Sequence, residues 1–177
     1  MEKTEHVRMR IVRPSVRLLG LLHSATSRAS GLRTTGHVGL TTLVVAEHDN
    51  VRIKPATRNT VTAAVRLGND VHLLVAGANC TTAASEGAQI SGVRRVLALD
   101  HASLANFIAE NVTAAVQTVQ DKGRYTHILA PDTASGRNYL PRLGAMLDVQ
   151  PITGVIRIVS VQEMRSPRSG ARTMSSS

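Results

Sequence analysis

Three polar segments of the sequence contain the residue types that could do chemistry. Residues 47–50 are Glu-His-Asp-Asn, residues 77–80 are Gly-Ala-Asn-Cys, and residues 131–138 are Pro-Asp-Thr-Ala-Ser-Gly-Arg-Asn. Each segment directly follows a short apolar run that is typical of a buried strand. Because ligands of open α/β sheets bind beyond the carboxyl ends of the strands, these segments are the candidate sites of the chain.

The first segment combines carboxylates with an imidazole, which are the groups of general acid–base catalysis. A solvated turn is nevertheless the favoured interpretation of Glu47, His48 and Asp49. A dinucleotide site would need G-x-G-x-x-G at this turn so that the backbone could approach a pyrophosphate. No glycine lies between Gly39 and Gly68, so the sequence excludes that motif, and it contains no Walker phosphate loop.

The third segment leads into a predicted helix and could hold an anion. Small hydroxyl residues with Gly136 and Arg137 at a helix start would offer unpaired backbone amides and the helix dipole. Capping of the helix by Asp132 or Ser135 is the favoured alternative. The segment therefore predicts a helix start, with anion binding as the second interpretation.

The remaining reactive residue types form no recognisable site. Cys80 is the only cysteine, which excludes an intrachain disulfide, and we expect it to be a small buried apolar residue. The seven histidines show no i, i+4 pairing, and Ser85 lies outside any G-x-S-x-G elbow. The sequence thus predicts no catalytic, metal-binding or cofactor-binding residue in this chain.

The elements that must position these segments alternate along the chain. Apolar runs without apolar/polar alternation predict strands buried on both faces of a parallel sheet, at residues 43–46, 71–76, 96–99, 127–130 and 155–159. Helical periodicity predicts helices around residues 61–65, over 81–89, over 104–119 with a break near Asn111, and over 140–147 with Pro141 in the first turn. This alternation predicts an α/β fold with a three-layer, doubly wound, mainly parallel sheet of Rossmann-like, nucleotide-hydrolase/universal-stress-like architecture.

Both ends of the chain differ in composition from the middle. No Asp or Glu lies between His6 and Ala46, while Arg, Ser and Thr recur. This composition predicts that residues 1–40 are a mitochondrial presequence, disordered and cleaved between Arg28 and Thr41. The alternative is that residues 1–40 are a disordered basic tail without a targeting signal. Residues 161–177 are polar and rich in Ser, so we expect a second disordered segment there.

The net charge of +9 lies mostly at the two ends. Residues 1–40 carry a net charge of +5 and residues 161–177 carry +2, which leaves +2 for residues 41–160. Such a nearly neutral middle region would neutralise few phosphates, so nucleic acid is not an expected partner. No apolar run approaches the roughly 18 residues that span a bilayer, so the chain is not expected to be integral to a membrane.

Six segments resemble electron-transfer flavoprotein alpha subunits in their order and spacing. They begin with Leu-Val-Val-Ala-Glu-His, and the strongest match is Tyr-Thr-His-Ile-Leu-Ala followed by Gly-Arg-Asn-Tyr-Leu-Pro-Arg-Leu. The segments are residues 43–48, 57–64, 73–77, 125–130, 136–143 and 147–153. Together they cover roughly residues 41–160, which are identified as the amino-terminal α/β domain of such a subunit.

The resemblance implies a structural role in an electron carrier, not an enzyme. In that family the alpha subunit pairs with a beta subunit in the mitochondrial matrix. The heterodimer carries electrons on FAD from acyl-CoA and related dehydrogenases to the electron-transfer flavoprotein-ubiquinone oxidoreductase. Arg137, Asn138 and Arg142 are the candidate interface residues, since the helix start beyond the sheet is accessible to the beta subunit or the flavin domain.

The sequence departs from the family after residue 160. Residues 161–177 differ from the expected continuation, so we expect a divergent tail, with the chain stopping before the FAD-binding domain. No position receives the FAD contacts of the family, and no cofactor is expected for this chain alone. The alternative function is a free-standing universal-stress-type nucleotide-binding module, which would need a Gly-rich loop where only Gly136 is present. An independent hydrolase or ligase would need a nucleophile–base pair, and the sequence shows no such pair.

Overall fold

A five-stranded sheet lies at the centre of the computed structural model, which describes residues 8–12, 40–158, 163–166 and 170–173. Its order is β1-β4-β3-β2-β5. The strands are β1 (Arg8–Val12), β2 (Thr41–Val45), β3 (Asp70–Gly77), β4 (Val93–Asp100) and β5 (His127–Leu129). β2 pairs in parallel with both β3 and β5, β3 pairs in parallel with β4, and β1 is antiparallel to β4.

The strands are apolar on both faces because both faces are covered by helices. Leu74 belongs to a core that includes apolar residues of α3 (Ala109–Gly123) and α4 (Ala134–Met146). Its neighbours Leu73 and Val75 belong to a second core with α1 (Pro55–Arg66) and α2 (Thr81–Gly87). Alternate residues of one strand thus pack against opposite helix layers. This confirms the predicted three-layer α/β fold with a mainly parallel sheet.

Local sequence signals set several helix ends. α1 begins with Pro55, where the missing N–H is not needed, and it ends just before Gly68 at φ 74°. α3 ends at Arg124, which adopts the left-handed conformation at φ 46°. Gly68 adopts this backbone conformation without steric cost, because a glycine has no side chain.

Two helices differ from the prediction. The predicted 104–119 helix is divided into a short 3-10 turn at Ala102–Leu104 and α3, with Phe107 between them at φ 50°. The break therefore lies before Ala109 and not near Asn111. α4 begins at Ala134, so Pro141 lies inside the helix and not in its first turn. The expectation for Pro141 is wrong because Thr133 caps the helix one and a half turns earlier than the apolar pattern indicated.

Short strands lie within both terminal segments, for which disorder was expected. β1 pairs with β4 through all five of its residues. Three short strands form a separate antiparallel sheet in the order β6-β7-β8. They are β6 (Arg157–Ile158), β7 (Glu163–Ser166) and β8 (Gly170–Thr173). The rest of residues 1–40 and 161–177 lies outside the described residues apart from Leu40, so the presequence stays a prediction.

The predicted fifth strand at residues 155–159 does not join the parallel sheet. Its residues 157–158 form β6, which pairs only with β7. Ile156 is 74% exposed, so this apolar run is not buried between helix layers in the described chain. Among the helices of the described chain, none is both long and apolar enough to cross a membrane.

Candidate functional site

A cleft opens at the point where the order of the parallel strands reverses. From β2 the chain moves to β3 and β4 on one side, and it returns to β5 on the other side of β2. This is the position where open α/β sheets bind ligands. The cavity has a volume of about 420 Å³. We call it the switch-point cleft, and its lining includes Glu47, His48, Lys54, Phe107, Ser135 and Tyr139.

His48 is buried in the wall of the switch-point cleft, with 4% of its surface exposed. Its Nε2 lies 3.2 Å from the carbonyl oxygen of Ala76, and its Nδ1 accepts a hydrogen bond of 3.0 Å from the backbone N–H of Asn50. Burial lowers the pKa of His48, so the imidazole is neutral and carries its proton on Nε2. Both ring nitrogens are engaged, which leaves neither for proton transfer to a ligand.

The interpretation of residues 47–49 as a solvated turn is therefore wrong for His48 and correct for Asp49. The Asp49 carboxylate is exposed and accepts hydrogen bonds from the backbone N–H groups of Val51 and Arg52, at 3.0 and 2.6 Å. These bonds lower the pKa of Asp49. Asp49 thus closes the turn, while His48 fixes it to the end of β3.

Glu47 brings a partly satisfied carboxylate into the switch-point cleft. Its Oε1 lies 2.9 Å from Nζ of Lys54, and its side chain is 19% exposed. Its Oε2 is buried and has no hydrogen-bond partner among the described residues. The cleft therefore contains an acceptor that the described part of the chain does not satisfy.

The first turn of α4 forms the opposite wall, and its cap differs from the prediction. Thr133 is the N-cap, and its hydroxyl accepts a hydrogen bond of 3.3 Å from the N–H of Gly136. Asp132 instead holds Arg137 in a two-point ion pair, with N–O distances of 2.7 and 3.1 Å. A Cβ on Gly136 would collide with the carbonyl oxygen of Pro131. Gly136 is required for this close backbone contact.

Tyr139 lies one helical turn beyond Ser135 and also lines the cleft. It is 5% exposed, and its hydroxyl has no hydrogen bond within the described part of the chain. Burial, with a smaller contribution from the charge of Glu47, raises the pKa of Tyr139 well above its usual range. Tyr139 was not among the residues predicted from the sequence to form a site. The available signal was its i, i+4 spacing from Ser135 and from the buried Leu143.

All three predicted interface residues belong to α4, with Arg137 and Asn138 near its start and Arg142 further along the helix. Arg137 and Arg142 are exposed, and Arg142 forms an ion pair of 2.9 Å with Glu110 of α3. Asn138 is exposed and lies at the cleft. Both guanidinium groups thus already have an acceptor within the chain. Their contact with a partner stays a prediction.

The other candidate residues are placed away from any reactive arrangement. Cys80 has no exposed surface, as predicted, and burial raises the pKa of its thiol. The described ranges contain no cluster of three or more His, Cys, Asp or Glu side chains suited to a metal ion.

Most of the chain matches a known protein family. A sequence model of the family described as "Electron transfer flavoprotein domain" matches residues 42–175. The match extends past residue 160, where the sequence resemblance was expected to end.

Individual relatives agree with the family match. The chain is 42% identical over 125 residues to the "Electron transfer flavoprotein subunit alpha" of Pseudomonas aeruginosa, covering 71% of this chain and 40% of the relative. It is 43% identical over 119 residues to the "Probable electron transfer flavoprotein subunit alpha, mitochondrial" of Caenorhabditis elegans, covering 67% and 36%. A Dictyostelium discoideum relative named "Electron transfer flavoprotein subunit alpha, mitochondrial" is 35% identical over 133 residues, covering 72% and 38%. The chain spans about two fifths of the length of these curated relatives.

Proposed function

The chain belongs to the electron transfer flavoprotein family, and we propose that it acts as the structural domain of an alpha subunit that pairs with a beta subunit. The observation that carries this proposal is the family match over residues 42–175. The names of the relatives, which include "subunit alpha", support the choice of the alpha subunit. The role proposed for the complete heterodimer is to carry electrons from acyl-CoA and related dehydrogenases to the electron-transfer flavoprotein-ubiquinone oxidoreductase.

We propose that this chain contributes no catalytic residue to that electron transfer. His48 supports the proposal, because both of its ring nitrogens are engaged with the backbone. Cys80 supports it as well, since its thiol is buried and its pKa is raised, which disfavours the reactive thiolate. The domain acts in this proposal by binding and positioning its partners.

We further propose that FAD, the cofactor that the family resemblance implies for the complete heterodimer, is not bound by this chain alone. Two observations on the cleft support this. Glu47 stands at the end of β2, where a dinucleotide site has its glycine turn. Gly77, at the end of β3, faces the side-chain oxygen of Asn50 so closely that a Cβ there would collide with it. The described residues thus do not fit a pyrophosphate at these strand ends.

The proposed location is the mitochondrial matrix, with residues 1–40 as the presequence. The relatives from Caenorhabditis elegans and Dictyostelium discoideum are named mitochondrial, while the Pseudomonas aeruginosa relative carries no such label. The absence of acidic residues from residues 6–46 also supports a mitochondrial location. Removal of residues 1–40 would also remove β1 and would free the outer edge of β4.

We place the contact with the beta subunit on α4, at Arg137, Asn138 and Arg142. Arginine is enriched in protein interfaces, and both arginine side chains are more than half exposed. Their ion pairs with Asp132 and Glu110 hold the guanidinium groups in fixed positions, which lowers the entropy cost of a further contact. The ion pairs are exposed and so contribute little to stability themselves.

A coupled assay tests the proposed role in electron transfer. The chain is co-expressed with a beta subunit, and an acyl-CoA dehydrogenase with its substrate supplies electrons to a redox dye. We expect no dye reduction above the background of the dehydrogenase alone, because in this proposal the chain alone binds no FAD. Dye reduction that requires the chain would contradict the proposal.

A further inference from the structure

The switch-point cleft contains unsatisfied hydrogen-bonding groups of two kinds. Oε2 of Glu47 is a buried acceptor without a donor in the described chain. The hydroxyl of Tyr139 also has no hydrogen-bond partner among the described residues, and it is accessible from the cleft that Tyr139 lines. Buried polar groups in native proteins are normally paired with protein, water, an ion or a ligand.

The first turn of α4 adds two donors to the same cleft. Thr133 satisfies the N–H groups of Gly136 and Arg137, through its hydroxyl and its carbonyl oxygen respectively. The N–H groups of Ala134 and Ser135, which also line the cleft, have no acceptor among the described residues. Free amides at the start of a 13-residue helix favour an anionic group.

The charges around the cleft decide which ligand fits. Lys54 neutralises Glu47 at 2.9 Å, and the α4 dipole opposes a cation, so a cationic ligand is not favoured. A simple anion would leave Oε2 of Glu47 without a donor. Asp132 lies on the loop before α4, but its carboxylate is held by Arg137. The ligand must therefore bring a hydrogen-bond donor for Glu47 together with an anionic group for the helix start.

We propose that the switch-point cleft binds a small hydroxylated phosphate ester, with hydroxyl groups donating to Glu47 and the phosphate on the first turn of α4. Tyr139, which lines the same cleft, hydrogen bonds to the ligand. A volume of about 420 Å³ falls in the range of small-molecule sites. The inference goes beyond the structural role of the domain and does not depend on a beta subunit.

Isothermal titration of the whole 177-residue chain tests the proposal. Ribose 5-phosphate and adenosine 5′-monophosphate carry both groups, while ribose and inorganic phosphate carry one each. We expect either two-group probe to bind at least about tenfold more tightly than both one-group probes. No binding of a two-group probe at millimolar concentration, or equal binding of inorganic phosphate, would overturn the proposal.

Matched tyrosine variants locate the site. Tyr139→Phe removes the hydroxyl without changing the shape of the side chain, and we expect it to weaken binding of the two-group probe about tenfold. Tyr125→Phe is the control, because the Tyr125 hydroxyl bonds to His72 at the amino ends of the strands, away from the cleft. Equal affinity of Tyr139→Phe and the unsubstituted chain would place binding elsewhere and overturn the assignment. Glu47→Gln should also weaken binding of the two-group probe about tenfold. If Glu47→Gln does not fold, the comparison of Tyr139→Phe with Tyr125→Phe still tests the site.

Discussion

The hydroxyl of Tyr125 lies 3.0 Å from Nδ1 of His72, and the two rings meet edge to face with centroids 5.4 Å apart. His72 belongs to β3 and Tyr125 precedes β5, with β2 between these strands. Burial lowers the pKa of His72 and raises the pKa of Tyr125, so both are neutral at pH 7. The bond connects the two sides of the strand reversal.

The first prediction concerns this bond. Tyr125→Phe should lower the free energy of unfolding by about 1–3 kcal/mol, because it leaves Nδ1 of the buried His72 without a partner. Tyr139→Phe, which removes a hydroxyl without a described partner, should change it by less than about 0.5 kcal/mol. Urea denaturation measures both. An equal loss in the two variants would contradict the difference between the two hydroxyl groups.

Gly136→Ala should destabilise the start of α4. The added Cβ collides with the backbone carbonyl of Pro131, and backbone cannot move aside as a flexible side chain can. We expect a loss of about 1–3 kcal/mol in the free energy of unfolding, as for other overpacked sites. Ser135→Ala, one residue earlier in the same turn, is the control and should have a small effect. A Gly136→Ala variant as stable as the control would show that the helix start is not held by this contact.

Stability should fall as the pH decreases below about 6.5. Burial lowers the pKa of His48 in the folded chain from the ordinary value of 6.5, so at acidic pH the unfolded chain binds a proton that the folded chain does not. Protonation of Nδ1 would also break its hydrogen bond from Asn50. The pKa values of His72 and His127 are lowered too, so all three histidines act in the same direction.

His48→Gln isolates the contribution of one group. This variant should lose stability less steeply between about pH 7 and pH 5 than the unsubstituted chain, since one titrating site is removed. His101→Gln, at the start of the short 3-10 turn, is the matched substitution outside the core. Urea midpoints at several pH values give the slopes. Identical slopes for His48→Gln and the unsubstituted chain would contradict the burial argument.

The order of the elements was predictable because apolar runs determine which strands are buried. The predicted runs at 71–76 and 96–99 lie within β3 and β4, and those at 43–46 and 127–130 extend one residue past β2 and β5. The run at residues 155–159 has the same composition, yet only its residues 157–158 form a strand, and they pair with β7. Composition alone does not show which apolar run forms a strand of the parallel sheet.

The switch-point cleft was harder to predict because it depends on contacts between distant residues. His48 is polar by type and was assigned to solvent, but the carbonyl oxygen of Ala76, 28 residues later, gives its buried ring a partner. Tyr139 lies just before the helix predicted at residues 140–147, and only the fold brings it into the same cavity as Glu47. Thr133 and Asp132 are both possible caps by type, and the ion pair with Arg137 engages Asp132.

A reporter fusion tests whether residues 1–40 direct a protein to mitochondria. Residues 1–40 joined to a fluorescent protein should direct it to mitochondria, because the segment is basic and nearly free of acidic residues. A variant with Arg13 and Arg17 replaced by glutamate should remain in the cytosol. If the unsubstituted fusion remains evenly distributed in the cytosol, residues 1–40 are not a presequence.

Pairing with a beta subunit is the most direct test of the central proposal. The whole chain, tagged and co-expressed with an electron transfer flavoprotein beta subunit, is purified and examined by size-exclusion chromatography at low and high salt. We predict that the two proteins elute together, and that replacing Arg137, Asn138 and Arg142 by alanine weakens the complex about tenfold. Arg66→Ala, on the exposed surface of α1 in the other helix layer, should leave it unchanged. Separate elution of the unsubstituted chain and the beta subunit at every salt concentration would contradict the account.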